Sequence, residues 1–190
     1  MSDVIDTLQA EHRNLRSLLE LLQEQTEILA GGGRPDFDLL IDVLDYIANY
    51  PDIIHHPKED AVFNVYLERS DQGADTIRSL LAEHETLRGQ TKELKDALSG
   101  VDQDVFVPRE KLEQKCRAYI DLQRRHMAVE ESAVFPLMRR ELKGADWKRI
   151  EADIPLKADP LFGEEVQEEY RALYDRIMRG GTAPQTGSAG

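Results

Sequence analysis

The chain has 190 residues, of which 41% are hydrophobic and 32% charged, and its formal net charge is −13 at pH 7. This length suits one domain with a substantial core, and so acidic a chain disfavours binding to nucleic acid or to anionic membranes. The single cysteine excludes a disulfide within the chain, and neither a signal peptide nor a membrane span is predicted. We therefore expect a cytoplasmic protein.

Apolar residues at steps of three and four predict four long amphipathic helices. The first is expected over residues 3–30 and carries His12 on its apolar side. It should end at the segment 31–35, Gly-Gly-Gly-Arg-Pro, because glycine adopts a left-handed conformation easily and proline cannot continue a helix.

The second predicted helix begins after Asp36 or Asp38, either of which can cap it. Pro51 and Pro57 each remove a backbone donor and clash with the preceding turn. We therefore expect this helix to be kinked or briefly broken over residues 50–57.

The third helix is predicted over about residues 73–98, followed by a loop over 99–107. The fourth starts at Pro108, which suits a first helical turn, and reaches about Leu142, with a bend at Pro136. Its inward side is expected to carry Leu112, Tyr119, Leu122, His126, Val129, Ala133 and Leu137.

The predicted fold is all-α: an antiparallel up-down four-helix bundle over residues 1–142, with a kinked second helix. A C-terminal extension, 143–179, is expected to hold short helices near 146–152 and 164–178. The small polar segment 180–190 is expected to be disordered.

Each predicted bundle helix carries a histidine on its apolar side, and the sequence has five: His12, His55, His56, His84 and His126. One such histidine is usually a hydrogen-bonded core residue. A metal-free interaction bundle is therefore one alternative that the sequence leaves open.

Two segments share the pattern of a histidine, three residues and two carboxylates: 55–60, His-His-Pro-Lys-Glu-Asp, and 126–131, His-Met-Ala-Val-Glu-Glu. Residues i and i+4 are neighbours on a helix, so Glu59 and Glu130 share a face with their histidines. Glu130 is preferred to Glu131, because a spacing of five needs a local bulge.

Burying four imidazoles and two carboxylates without a cation would leave unpaired charges in the core, which costs several kcal/mol. A metal centre removes this cost. The predicted ligands are His12, His55, Glu59, His84, His126 and Glu130.

A mixed set of imidazoles and carboxylates with open positions favours non-haem iron. Two bridging carboxylates and a bridging oxygen favour two ions. Of about twelve positions on two six-coordinate ions, about ten would be filled, which leaves room for O2, NO, peroxide or water. Manganese or zinc could substitute for iron.

Taken together, these residues resemble the hemerythrin-like family, the HHE cation-binding domain. The matching segments are Glu11–Leu15, His55–Asp60, Glu83–Leu87, His126–Glu131 and Phe135-Pro136. Asp159–Gly163 also resembles tails found on bacterial members. The resemblance implies an up-down bundle with an oxo- or hydroxo-bridged di-iron centre, and it implies ligand roles for the same six residues.

The sequence departs from the oxygen-carrying branch of that family, which has two histidines four residues apart on the third helix. Here Leu80 and Arg88 stand four residues before and after His84. One expected imidazole is missing, so reversible O2 carriage is not expected. In that branch the last carboxylate follows its histidine by five residues, which would select Glu131.

Three further candidates for ligands or for residues that hold ligands are His56, Glu131 and Tyr119. In a regular helix His56 points about 100° away from His55 and should be exposed or lie beside the ligands. A distortion at Pro57 could instead bring it inward.

The first functional expectation is a di-iron protein that binds, senses or scavenges O2, NO or peroxide or handles iron, in a stress response. The alternative is an enzyme of peroxide or NO reduction or of iron–sulfur repair, which an access channel lined by Asp60, Glu83 and Glu85 would favour. A metal-binding protein is preferred to a dedicated enzyme. A protein partner or a second copy could dock on the C-terminal helix.

Overall fold

The structure, a computed structural model, describes residues 3–102, 107–154 and 158–179, and all regular elements in these ranges are helical. No helix within these ranges has the length and apolarity to cross a membrane. The α-helices are α1 (Asp3–Ala30), α2 (Phe37–Asn49), α3 (His56–Leu67), α4 (Ala74–Asp102), α5 (Arg109–Val129), α6 (Phe135–Glu141), α7 (Gly144–Asp153) and α8 (Arg171–Arg179).

Two π-helical turns connect α-helices end to end. The first, Pro51–His55, joins α2 to α3, and the second, Glu130–Val134, joins α5 to α6. A short 3₁₀ turn, Glu168–Tyr170, precedes α8.

The long helices pack in a closed ring. Helix α1 contacts α2 and α5, and α4 contacts the same two helices from the other side. The all-helical fold is thereby confirmed. The antiparallel up-down order and the bend of the second helix stay predictions.

The hydrophobic core consists of two clusters, one on each side of the histidines. Along α1, Leu8 belongs to one cluster and Leu15 to the other, with His12 between them. Along α4, Leu80 and Leu87 are divided in the same way around His84. Since a buried leucine contributes about 1.5–3 kcal/mol, the two clusters hold the helices in place around a polar middle layer.

The connection between α1 and α2 follows its sequence signals. Gly32 has a φ of +84°, which glycine adopts without strain, and ends α1. Asp36 caps α2, since its side chain accepts a hydrogen bond of 3.1 Å from the backbone N–H of Leu39. Of the two predicted caps, Asp36 is therefore the one used, and Asp38 is exposed in the first turn.

Two predicted boundaries are wrong. Helix α4 continues through Asp102, because Leu98 is fully buried in the core and holds the last turns against it. The remainder of the predicted loop, residues 103–106, lies outside the described residues. The last helix starts at Arg171 and not at 164, because the N–H of Gln167 donates to the carbonyl of Pro160 and folds the preceding segment into a turn.

The predicted inward side of the fourth helix is partly wrong. Val129 and Ala133 are exposed, whereas Gln123, Met127 and Glu130 are buried. Since each residue turns a helix by about 100°, the buried side is rotated toward Met127 and Glu130.

The C-terminal segment packs on the core formed by α1 and α2. Its buried residues are Leu161, Phe162, Tyr170, Leu173 and Ile177. The division of the chain at residue 142 stays a prediction, and the segment 180–190 lies outside the described residues.

Candidate metal centre

Two prolines at equivalent places shape the local backbone of the site. Each π turn ends two residues before a proline, Pro57 or Pro136. A proline cannot donate a backbone hydrogen bond, and its ring clashes with the carbonyl four residues earlier. In both places the helix widens into a π turn before the proline, and such turns are frequent at functional sites.

The first π turn changes which side chains face the core. The N–H of His56 donates to the carbonyl of Pro51, five residues back, instead of to Asp52. The carbonyl of Asp52 is left free and accepts a hydrogen bond of 3.2 Å from the Arg88 guanidinium. As a result the consecutive residues His55 and His56 are both buried, with 2% and 1% exposure.

The predicted site residues converge on one buried layer. None of the seven histidine and glutamate side chains in this layer is more than 2% exposed: His12, His55, His56, Glu59, His84, His126 and Glu130. We call these seven residues the central cluster.

Glu59 lies at the middle of the central cluster and reaches three imidazoles. Its Oε1 is 3.2 Å from Nε2 of His12 and 3.3 Å from Nε2 of His55. Its Oε2 is 3.4 Å from Nε2 of His84. The two oxygens of one carboxylate thus face histidines of different helices.

Glu130 likewise lies close to three imidazoles that belong to different helices. Its Oε1 is 3.0 Å from Nε2 of His126 and 3.6 Å from Nε2 of His84, and its Oε2 is 3.4 Å from Nε2 of His12. Both glutamates therefore lie between His12 and His84, with one carboxylate oxygen near each of the two histidines.

Among the described residues, two groups have nitrogen and oxygen atoms close enough to hold a metal ion. One comprises His56, Glu59, His84 and His126, and the other comprises His12, His55 and Glu59. Within each group the candidate ligand atoms lie within 4.8 Å of one another. Glu59 belongs to both, so the two groups adjoin.

A second layer of carboxylates fixes the orientation of the imidazoles. In four cases Nδ1 of the histidine lies at hydrogen-bond distance from an acid on another helix: His12 with Glu131 (3.0 Å), His55 with Glu11 (2.7 Å), His84 with Asp60 (2.7 Å) and His126 with Glu83 (3.0 Å). We call Glu11, Asp60, Glu83 and Glu131 the outer carboxylates. A carboxylate that accepts Nδ1–H leaves the Nε2 lone pair free for a metal.

The outer carboxylates create a problem that a cation solves. With Nδ1–H donated outward, Nε2 of His84 and Nε2 of His126 face each other at 3.0 Å. Two lone pairs at that distance repel unless a proton or a metal ion lies between them. Both Nε2 atoms point into the same group of candidate ligands.

The charges of the central cluster lead to the same conclusion. Oε2 of Glu59 and both carboxylate oxygens of Glu130 are buried, and wherever the neighbouring Nε2 atoms carry no proton they have no hydrogen-bond partner among the described residues. A buried carboxylate without partners costs several kcal/mol. The residues present therefore fit a bound cation, which would complete these oxygens.

The pKa values of the buried histidines show where a metal ion would have to displace a proton from an imidazole. Burial alone lowers the pKa of His55, but the charge of Glu59 and the hydrogen bond to Glu11 outweigh it and raise the pKa to about 10. At His84, burial lowers the pKa, but the hydrogen bond that its Nδ1–H donates to Asp60 outweighs burial and raises the pKa to about 11. Burial and the charge of His84 hold the pKa of His56 well below its usual value, so His56 is a neutral imidazole.

Aromatic rings close the layer on one side. Phe135 stacks on His12 with ring centroids 5.5 Å apart, and Phe63 stacks on His84 at 6.1 Å. Both phenylalanines are fully buried in the cluster that contains Leu8 and Leu80. They keep bulk water from this side of the histidines.

The structure places the three further candidates, His56, Glu131 and Tyr119, in different surroundings. The expectation from a regular helix that His56 is exposed is wrong, and the alternative of a distortion beside Pro57 agrees with the π turn, which carries His56 into the central cluster. Glu131 lies outside that cluster and binds His12 and Arg16. The hydroxyl of Tyr119 contacts Thr91 and the Gln123 amide.

The sequence pattern did not indicate that Glu11, Asp60 and Glu83 hold histidines in place. Asp60 and Glu83, considered as linings of a channel, hold His84 and His126, while Glu85 is exposed and pairs with Arg88. The sequence does show that Glu11 and Glu83 each directly precede a histidine of the central cluster. The histidines that these two acids bind, however, lie on other helices.

A model of the hemerythrin HHE cation-binding domain matches residues 3–138 of this chain. Comparisons with curated proteins and with solved structures give no match. The matched range spans more than half of the chain and includes the whole central cluster, whose donor atoms can hold a metal ion. The chain belongs to the hemerythrin HHE cation-binding family.

Proposed function

We propose that the chain is a non-haem di-iron protein that binds, senses or scavenges a small ligand, namely O2, NO or peroxide. The observation that carries the proposal is the sharing of Glu59 between two groups of buried imidazoles, with partnerless carboxylate oxygens beside them. Carboxylates placed in this way bridge metal pairs about 3.5–4 Å apart.

The proposed ligands are His12, His55, Glu59, His84, His126 and Glu130, together with His56 as a fifth imidazole. His56 replaces the imidazole that the sequence lacks near His84. One ion would take three imidazoles (His56, His84, His126) and the other would take two (His12, His55). Glu59 and Glu130 would bridge the two ions.

This ligand set leaves the two ions unequal. Five imidazoles, two carboxylates shared by the ions and one further oxygen would fill about eleven of about twelve positions. The remaining position would be on the ion that His12 and His55 would hold. When bound, the iron pair supplies that position for the small ligand and two electrons for its reduction.

The rest of the chain supplies orientation and exclusion of water. The outer carboxylates fix each imidazole through Nδ1, which keeps Nε2 directed inward. Phe63 and Phe135 limit the access of water. A small, weakly polar ligand passes such a barrier more easily than an ion does.

An enzymatic role in peroxide or NO reduction or in iron–sulfur repair would use the same residues. Turnover of peroxide or NO with an electron donor would separate it from simple binding. With manganese or zinc in the site, neither the turnover of peroxide nor that of NO could proceed through the redox chemistry of iron.

The experiment for the proposal is an optical spectrum of aerobically purified protein. We expect the absorption of an oxygen-bridged ferric pair, which disappears with dithionite and changes with azide or NO. Protein with iron bound but no response to azide or NO would contradict ligand binding at the site. The absence of any iron chromophore after iron loading would contradict the di-iron centre.

A further inference from the structure

His56 differs from the other four histidines of the central cluster in the surroundings of its Nδ1. The outer carboxylates hold the other four imidazoles, whereas Nδ1 of His56 is buried and has no hydrogen bond among the described residues. Stacking on His84 fixes the plane of the His56 ring but not its orientation within that plane. A ring turned over in the same plane would direct a carbon atom at the ion instead of Nε2. A further contact is therefore needed to select the nitrogen.

The carboxylate of Asp52 faces this nitrogen. Its Oδ1 lies 3.4 Å from Nδ1 of His56, four residues further along the chain, and His56 is paired with no other carboxylate among the described residues. Both carboxylate oxygens of Asp52 are buried and lack a hydrogen-bond partner there too. An unpartnered acceptor thus faces an unpartnered nitrogen. A shift of about 0.5 Å would bring the pair to an ordinary hydrogen-bond distance.

The other polar groups near the Asp52 carboxylate are bonded elsewhere. Thr91 has one hydroxyl proton, which it donates to a main-chain carbonyl of its own helix at 2.9 Å. The Arg88 guanidinium binds Glu85 and the main-chain carbonyl of Asp52. Neither group bonds the Asp52 carboxylate in the described part of the chain, which leaves His56 as its partner.

The π turn Pro51–His55 buries this acid and exposes its apolar neighbour. Asp52 is 3% exposed, whereas Ile53 is 51% exposed. Isoleucine is usually buried, and aspartate is almost never fully buried unless it is paired. Such an exchange of places is costly by itself, so a bond between Asp52 and a group in the core is needed to offset it. The same turn brings His56 into the core beside Asp52.

We propose that Asp52 is the positioning residue of His56. It accepts the Nδ1–H of this imidazole and keeps Nε2 directed at the ion that His84 and His126 would hold, as the outer carboxylates do for the other four histidines. The proposal rests on the proposed di-iron function and involves no change of protonation at Asp52. Without Asp52 the ring of His56 can turn over, and this ion loses its third imidazole.

The test is a double-mutant cycle on the full-length protein, loaded with ferrous iron in the absence of oxygen. Asp52→Asn keeps a weaker acceptor of the same shape and Asp52→Leu removes the acceptor, and each is also made together with His56→Met. Asp159→Asn is the matched control, since Asp159 is another half-buried aspartate, which accepts from Tyr46 and pairs with no histidine in the described residues. The readouts are the iron affinity, by competition with a chelator, and the melting temperature of the metal-free chain.

We expect the affinity for one ion to fall roughly 10-fold in Asp52→Asn and up to about 100-fold in Asp52→Leu. Because His56→Met already removes the imidazole, neither substitution should lower the affinity further in that background. Asp52→Leu removes a buried charge that has no partner in the metal-free chain, so it should raise the melting temperature of that chain. Asp159→Asn should bind iron like the wild type.

Three outcomes would contradict these expectations. Asp52 variants that bind iron as tightly as the wild type would overturn the role of Asp52 and leave the di-iron function intact. An equal loss of affinity with and without the His56 imidazole would do the same, because a purely structural effect of Asp52 does not depend on that ring. A folded wild type that binds no iron would overturn the proposed function and the role of Asp52 together.

Discussion

The imidazole rings of His56 and His84 lie stacked, with centroids 4.4 Å apart and planes 12° apart. Both rings are buried, and the charge of His84 helps to lower the pKa of His56. Two stacked imidazoles cannot both carry a proton comfortably in a buried site, so His56 stays neutral. A neutral imidazole beside Glu59 is what a metal ion binds.

His56→Met tests whether this ring is the fifth imidazole. Methionine fills most of the same space, and Met127 occupies the equivalent position after His126. We expect iron content to fall from about two toward about one per chain, because one ion loses a third of its imidazoles. Elemental analysis of folded protein measures this ratio. An unchanged ratio and spectrum would assign His56 a structural role only.

The sequence predicted six of the seven residues of the central cluster and left two positions open for His56, outside or inside it. Its spacing of histidines and glutamates on amphipathic helices was sufficient to predict which helix faces meet. The position of His56 depends on the π turn at Pro51–His55, where a hydrogen bond spans five residues. A pattern based on 3.6 residues per turn cannot represent that change of register.

Glu83 provides the sharpest test of the outer carboxylates, because Glu85 offers a matched control on the same helix. Glu83→Gln weakens the acceptor for Nδ1–H of His126, and we expect a loss of roughly 10–100-fold in metal affinity. Glu85→Gln alters only an exposed pair with Arg88 and should leave the affinity unchanged. Competition with a chelator measures both. Equal affinities of the two variants would refute a positioning role for Glu83.

The partners of the outer carboxylates could not be assigned from the sequence for a geometric reason. Glu11 neighbours His12 in the chain but binds His55, and Glu83 neighbours His84 but binds His126. Adjacent residues point about 100° apart on a helix. Each acid therefore binds a histidine of a neighbouring helix, and only the packed structure shows which histidine that is.

The stability of metal-free protein should fall in alkaline solution. The folded pKa values of His55 and His84, about 10 and about 11, lie above the ordinary value of 6.5. Groups with a raised folded pKa contribute stability that is complete below 6.5 and is lost as the pH rises through the folded pKa. We expect the melting temperature of the metal-free chain to decrease between about pH 7 and 10.

Metal affinity should show the opposite dependence on pH. The metal displaces the protons that the raised pKa values favour, so its binding releases protons and weakens as the pH falls. Titration calorimetry in buffers of different ionisation enthalpy counts the released protons. Binding without proton release would contradict the protonated state of the metal-free histidines.

The cap of α2 gives a test of the fold that is separate from the metal. Asp36→Ala removes the bond to the N–H of Leu39 and should lower the free energy of unfolding by about 1 kcal/mol. Asp36 also binds Arg176 of α8, so the variant should loosen the C-terminal segment too. Asp38→Ala, which removes no cap, should stay close to the wild type. Urea unfolding compares them, and equal stabilities would place the cap elsewhere.

The iron-to-protein ratio of the folded chain, loaded with ferrous iron without oxygen and freed of excess, tests the central claim most directly. The account predicts about two irons per chain, and much less in Glu59→Gln, which weakens the carboxylate shared by both groups. A natively folded wild type that retains no iron and melts at the same temperature with and without chelator would contradict it.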